Sequence, residues 1–282
     1  MKNILLTIAY DGTNFSGWQR QPGRRTVQGE LEKVLSVLCK QEVNLEGTSR
    51  TDSGVHALGQ RATLKGNIKI PVENIPVAAN NMLAEAGRKK TGDVRILCAQ
   101  EVGEGFHARF NAVGKTYLYR IQYGGQPHIL ERDRCYHIKG EPDVALIEKE
   151  AQFLVGKHDF KAFMASGGKQ PETTVRNIFD IKIHRPLSDE GLWRHGVGDC
   201  QNRTSEIILE ITGDGFLYNM VRIITGTLMD IGTGRILHRG IPQIIEGCDR
   251  RLAGHTAPPQ GLYLAEVYFD VNKMLNKTKG AI

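Results

Sequence analysis

Cysteine is scarce in this chain of 282 residues. There are five, Cys39, Cys98, Cys135, Cys200 and Cys248, an odd number with no two close together. That spacing argues against a disulfide framework and against a Cys-x-x-Cys zinc site. The nine histidines show no His-Glu-x-x-His spacing, so each reads as a surface or core histidine and no metal is expected. Long apolar runs are absent too. The N-terminal MKNILLTIAYDG has one short run before Asp11 and ends in no cleavage pattern, and no later segment reaches membrane-spanning length. The sequons at Asn14, Asn202 and Asn276 are then idle, and a reduced, cytoplasmic, soluble protein with no membrane association is expected. Neither sign of charge dominates: 37 Lys and Arg against 31 Asp and Glu leave +6. This mildly basic balance favours acidic partners, nucleic acid first, without establishing one. With 40% hydrophobic and 24% charged residues, disordered and fibrous classes are excluded. At roughly 150 residues per domain the length fits two domains, or one large one.

What is present has a definite order. Asn3–Tyr10 alternates Ile4, Leu6 and Ile8 as a strand. Thr26 can cap a helix whose face carries Val27, Leu31, Val34, Leu35 and Leu38. Glu42–Gly47 and Arg61–Lys65 are strand candidates with a loop of Ser, Thr and Gly between them. Asn74 and Pro76 open a helix to about Ala84, and Asp93–Val102 is a strand. The order β-α-β-β-α-β is the split βαβ or ferredoxin-like arrangement. The second half repeats it loosely. Strand Lys115–Tyr123 precedes a helix capped by Asp143 and stopped by Gly156. Strands Thr174–Arg185 and Ser205–Thr212, helix Leu217–Gly232 and strand Leu262–Phe269 follow. The predicted class is α+β: two ferredoxin-like halves, 1–105 and 106–271, sharing a continuous, mostly antiparallel sheet with helices on one face and a cleft on the other. Residues 187–203 read as a polar, Gly-rich loop or hairpin, and 272–282 as a frayed tail.

Three segments concentrate polar chemistry. In SRTDSGVHALGQ, Ser49 to Gln60, an extended chain would put Arg50 and Asp52 on one side and keep the carboxylate ionised. The competing reading is a plain Asp-Ser-Gly turn, and by spacing alone it is the stronger. A Ser53/His56/Asp52 triad fails, because triad members come from separated segments and no G-x-S-x-G surrounds Ser53. In GFHARFNAVGKTYLYR, Gly105 to Arg120, Phe106, His107, Arg109 and Phe110 interleave basic and aromatic groups ahead of Tyr117 and Tyr119. Single-stranded RNA recognition uses such neighbours, although tyrosines on a strand are more often half-buried packing residues. Gly114-Lys115-Thr116 resembles the end of a P-loop, but Arg109 stands where the first Gly belongs. In GDGFLYNMVRIITGTLMDIG, Gly213 to Gly232, Arg222 interrupts an apolar helix face and should reach water or a carboxylate. Nothing local supplies that carboxylate, and Asp52 does so only if the halves close on one cleft.

With YDGTNFSGWQRQP (Tyr10 to Pro22) and APPQGLYL (Ala257 to Leu264), these segments resemble, in order and from about Lys2 to Phe269, the TruA-type tRNA pseudouridine synthases. The R-T-D-x-G-V-H core is highly specific to that family. Ser49 replaces the usual Gly before Arg50, and 187–203 looks longer than the family's connection. The resemblance implies the pseudouridine synthase fold, a homodimer with an RNA-binding cleft, and isomerisation of uridine at tRNA positions 38, 39 and 40 without metal or organic cofactor. It implies that Asp52 is the catalytic carboxylate, flanked by Arg50 and Arg222, with Tyr117 stacking on the target base. Gln60, His107 and Arg109 are weaker matches with a structural or RNA-binding role. Arg20, Arg24 and Arg25 stand ready to grip phosphates, against the plain reading of a solvated basic loop.

The chemistry fits these residue types. The N1–C1′ bond must break, the uracil must turn while held, and C5 must bond to C1′. A carboxylate can attack C1′ or remove a ribose proton, and the residues do not choose between the two routes. A tRNA-binding protein without turnover would share the basic and aromatic features, but polyanion binding alone gains nothing from Asp52.

Overall fold

The computed structural model describes residues 1–86, 92–167, 170–186 and 204–279. The expected loop over 187–203 lies outside them. The chain packs as two compact units. One is Met1–Val113 with Tyr263–Met274; the other is Gly114–Leu262 with the chain from Leu275.

The first unit is built on β1 (Lys2–Tyr10), which buries Ile4, Leu5, Leu6 and Ile8. It lies antiparallel between β3 (His56–Gly66) and β4 (Val94–Val102), with Ile4 opposite both Leu64 and Glu101. The short β2 (Leu45–Gly47) pairs with the far end of β3. The order β4-β1-β3-β2 is that of a split βαβ unit. β10 (Leu262–Tyr268) lies parallel to the start of β3, Tyr263 opposite His56 and Leu264 opposite Ala57. Helix α1 (Val27–Cys39) begins where Thr26 Oγ1 accepts the Gly29 N–H and ends where Lys40 turns left-handed. Its buried stripe of Val27, Leu31, Val34 and Leu35 has the spacing of one helical face. Helix α2 (Ile75–Ala86) buries Ile75, Ala79 and Leu83, and Asn80 exchanges two hydrogen bonds with Ile96 of β4.

The second unit is a sheet in the order β5-β9-β8-β7, all antiparallel. Its strands are β5 (Gly114–Gly124), β7 (Gly156–Asp159), β8 (Val175–His184) and β9 (Thr204–Gly213). The short β6 (Tyr136–Ile138) runs parallel to β5. Helix α3 (Val144–Gln152) is capped by Asp143, whose carboxylate accepts the Leu146 N–H. Helix α4 (Met220–Gly232) is buried along almost its whole length. Each of its fully buried isoleucines and leucines contributes roughly 1.5–3 kcal/mol. The short α5 (Ile241–Gly247) follows.

Four features depart from the sequence reading. From Tyr263 onward the last strand packs with the first unit, and the division between units falls at 113/114 instead of 105/106. The loop before β3 ends sooner than expected, because β3 begins at His56. Helix α4 begins at Met220 instead of Leu217, since Asn219 is left-handed at φ 59. The tail expected to fray forms α6 (Val271–Lys279), capped by the Asp270 carboxylate and anchored by buried Met274.

Candidate active site

In the first unit two of the motifs interlock. The Tyr10 hydroxyl lies 2.7 Å from Thr51 Oγ1 in a buried contact, and the Trp18 N–H donates to the Thr51 carbonyl at 3.1 Å. Ser53 Oγ donates to the Phe15 carbonyl at 3.0 Å. The YDGTNFSGW segment is therefore a cradle for the Asp52 loop. Gly17, at φ +87, is required there: a Cβ would sit 2.7 Å from the Thr51 carbonyl oxygen. The Asp52 carbonyl accepts the Val55 N–H at 3.2 Å across Gly54, whose φ is +78. The Asp-Ser-Gly turn thus exists, but this bond uses the backbone of Asp52, not its side chain. Asp52 itself is half-buried and Arg50 is exposed.

Two polar residues of the motif act inside the protein. Gln60 is fully buried: its Nε2 donates to the Ser49 carbonyl at 2.7 Å, and its Oε1 accepts the Ser49 and Arg61 N–H groups. It holds the start of the loop from a fully buried position. Ser49 buries a hydroxyl without a hydrogen-bond partner among the described residues. His56 stacks on Tyr263 at 4.7 Å, and its Nδ1 lies 3.0 Å from the Gly12 nitrogen and 3.3 Å from Asp11 Oδ1. One ring nitrogen serves one of these at a time: it accepts from Gly12 when it carries a lone pair and donates to Asp11 when it carries a proton. The Asp11 carboxyl is held well below the usual range, first by that His56 bond and then by Thr13, against the opposing effect of burial.

The basic candidates separate into two groups. Arg25 is spoken for: it bonds Glu30 and Asp93 and lies 4.2 Å from the Phe15 ring centre. It fastens the cradle to α1, so its expected phosphate-gripping role is withdrawn. Arg20 pairs with the buried Glu32 at 3.3 Å while staying exposed, and Arg24 is exposed. His107 Nε2 meets Glu46 at 3.2 Å, and its Nδ1 accepts the Arg109 N–H. The Arg109 guanidinium lies 5.7 Å from the ring centre of Phe110, which is 76% exposed. This corner of the first unit presents aromatic and cationic surface together.

The second unit carries Tyr117 and Arg222. Tyr117, on β5 opposite Ile211, is 9% exposed, with its ring edge-on to Phe216 at 5.1 Å. Tyr119 is fully buried and donates to the Pro258 carbonyl at 2.5 Å. Burial pushes its phenol well above the ordinary value. Arg222 stands in the first turn of α4. Its Nε donates to the Ala257 carbonyl at 2.8 Å and its Nη1 to Asn219 Oδ1 at 2.7 Å. The sequence reading, which looked for a carboxylate, missed these neutral acceptors.

Comparison with known proteins matches residues 6–111 and 151–270 to the tRNA pseudouridine synthase family. The chain is 44% identical over 269 residues to "tRNA pseudouridine synthase A" of Acetivibrio thermocellus, covering 95% of this chain and all of the relative. The protein of the same name from Caldicellulosiruptor saccharolyticus is also 44% identical, over 270 residues with the same coverage. "tRNA pseudouridine synthase A 2" of Clostridium perfringens is 40% identical over 269 residues, again with 95% and 100% covered. The chain belongs to the tRNA pseudouridine synthase family.

Proposed function

We propose that this enzyme isomerises uridine to pseudouridine in the anticodon arm of tRNA, at positions 38, 39 and 40, as a cytoplasmic homodimer. The observation that carries the reading is the cradled Asp52 turn. The Tyr10–Trp18 segment holds it through Thr51 and Ser53, and Gln60 holds its leading end. A fold spends such constraint on a loop whose side chain must be placed, and a polyanion-binding surface has no use for a carboxylate there.

The reaction balances without a co-reactant. The N1–C1′ bond breaks, the C5–C1′ bond forms, C5 loses a proton and N1 gains one. Substrate and product have the same atoms and the same oxidation level. In this reading Asp52 attacks C1′ or removes a ribose proton, and it must be ionised to do either. Arg50 and Arg222 supply positive charge, and the Tyr117 ring gives the detached uracil a face. The target base leaves its stack at a cost of roughly a few kcal/mol. Arg20, Arg24, His107 and Arg109 engage the RNA backbone, with Phe110 as a stacking platform.

Asp52→Asn tests this. The change is nearly isosteric and the turn bond uses the backbone carbonyl, so the loop survives. An amide is a poor nucleophile and base, and loss of a charge that repels phosphate leaves tRNA affinity equal or slightly higher. Tritium release from C5-labelled tRNA falls to background while binding persists. A wild type that binds tRNA and releases no tritium would establish the binding-only alternative. Substantial release by the variant would move the chemistry to another residue.

A further inference from the structure

Arg222, Gly226 and Asp230 lie four residues apart and form one stripe along α4. All three meet the same stretch of chain, Gly254 to Pro258. Arg222 donates to the Ala257 carbonyl, and the Ala257 N–H returns a bond to the Arg222 carbonyl at 3.1 Å. Gly226 lies against the His255 carbonyl so closely that any Cβ would collide with its oxygen. Asp230, buried, accepts both the backbone N–H and the ring Nδ1 of His255 on one carboxylate oxygen, at 3.0 and 2.9 Å. Thr227 Oγ1, one residue from the stripe, accepts the Gly254 N–H at 2.9 Å.

The ring bond sets the tautomer. A carboxylate can only accept, so Nδ1 carries the proton. The Tyr136 hydroxyl on β6 lies 3.1 Å from Nε2. At its other end the segment receives the Tyr119 hydroxyl at Pro258, two residues from Tyr117 on β5. Gly254–Pro258 is thus tied to the helix that carries Arg222 and to the strand that carries Tyr117. Asp230 is two turns of helix from Arg222, and none of the ties described for it reaches a proposed substrate-binding group directly.

We propose that Asp230, with His255, is a positioning residue for the reaction: it clasps the Gly254–Pro258 segment onto α4 and so sets where the Arg222 guanidinium and the Tyr117 ring stand. The proposal rests on the roles given above to Arg222 and Tyr117. Ångström-scale displacement of such groups lowers the chemical step more than it lowers binding.

The experiment compares wild type, Asp230→Asn, His255→Ala, Arg222→Ala and the double variant Asp230→Asn/Arg222→Ala. Each is measured by single-turnover and steady-state pseudouridine formation on unmodified tRNA, and by amide hydrogen exchange over Gly254–Pro258. Asp230→Asn should lower kcat by about ten- to a hundredfold with KM little changed. Exchange at His255 and Ala257 should quicken. His255→Ala keeps the backbone bond to Asp230 and should show a smaller effect of the same kind. In the Arg222→Ala background, Asp230→Asn should cost clearly less than it does alone, because part of its effect runs through Arg222 and only the share through Tyr117 remains. Additive losses, or quickened exchange with kcat intact, would overturn the proposal. A fall in stability with unchanged exchange in the segment would overturn it as well, by making Asp230 a packing residue only. If the wild type forms no pseudouridine, the functional reading fails. The exchange data then report separately whether the clasp exists, and unchanged exchange refutes it too.

Discussion

Replacing Gln60 by glutamate tests how the Asp52 loop is held. The side chain is 0% exposed, and its Nε2 donates to the Ser49 carbonyl at 2.7 Å. Glutamate has the same size and keeps the oxygen that accepts from Ser49 and Arg61. It turns the donor into a second oxygen facing a carbonyl. Ionised, it would place a buried charge against that carbonyl. Protonated, its O–H can restore the bond. The folded variant should therefore keep its proton, with a carboxyl pKa above the unfolded value of about 4.3. The unfolded chain then releases the proton first as pH rises. Relative to wild type, the variant is unimpaired below about pH 4 and loses about 1.4 kcal/mol per pH unit above it, until the folded pKa is reached. If the proton is held to about pH 7, the cost is roughly 3.7 kcal/mol, a large part of the roughly 5–15 kcal/mol that stabilises a domain. Urea unfolding of both proteins between about pH 4.5 and 7.5 reads this directly as a stability difference that widens with pH. Gln60→Met, which orphans the same Ser49 groups without adding a charge, should show a loss independent of pH. A Gln60→Glu deficit that does not change with pH would refute the reasoning, because it would mean that water reaches the carboxyl.

Ser49→Ala removes a buried hydroxyl that has no partner among the described residues, so it should raise stability by about 1 kcal/mol in the same assay. No gain would show that the hydroxyl is bonded in solution. Arg25→Ala should lower the melting temperature, because it strands Glu30 and Asp93. Arg24→Ala should leave stability alone and reduce the salt slope of tRNA binding by about one; the reverse pattern would exchange their roles. Burial pushes the Cys135 thiol up to about 12, which leaves almost no thiolate near neutrality, whereas Cys98 is exposed. Peptide mapping after brief treatment with a thiol reagent should find Cys98 modified and Cys135 intact, and early modification of Cys135 would contradict its burial.

The elements readable in advance were those with a repeating apolar pattern. α1 announced itself through Val27, Leu31, Val34 and Leu35 and through Thr26 as its cap. α3 did so through Asp143, and β1, β5 and β8 through alternation or β-branched density. β6 and β7, at three and four residues, are too short to show a period. β3 was read five residues too short because its first turns inward are polar. His56 and Gln60 are both buried, and buried polar residues break the alternation that marks a strand. The placing of β10 beside β3 depends on pairing across about two hundred residues, for which no local signal exists.

The site divides along the same line. The Asp52 motif stands out through its resemblance to the family, since by spacing alone the plain turn is the stronger reading. What holds it was not legible, because the cradle bonds run between distant segments, from Tyr10, Phe15 and Trp18 to Thr51 and Ser53, and half of the bonding atoms are backbone. Arg222 makes the point most sharply. A cation on an apolar face turns the search to carboxylates, and nothing in the sequence hints at its bonds to the Ala257 carbonyl and the Asn219 amide. Every residue carries a carbonyl, so a backbone acceptor leaves no mark in the sequence. Asp230 works two turns away, on the segment that supplies that carbonyl. The charge pattern of α4, basic at its first turn and acidic at its third, is therefore read best as one device. In the proposed arrangement Arg222 presents the charge and Asp230 fixes the strap that aims it.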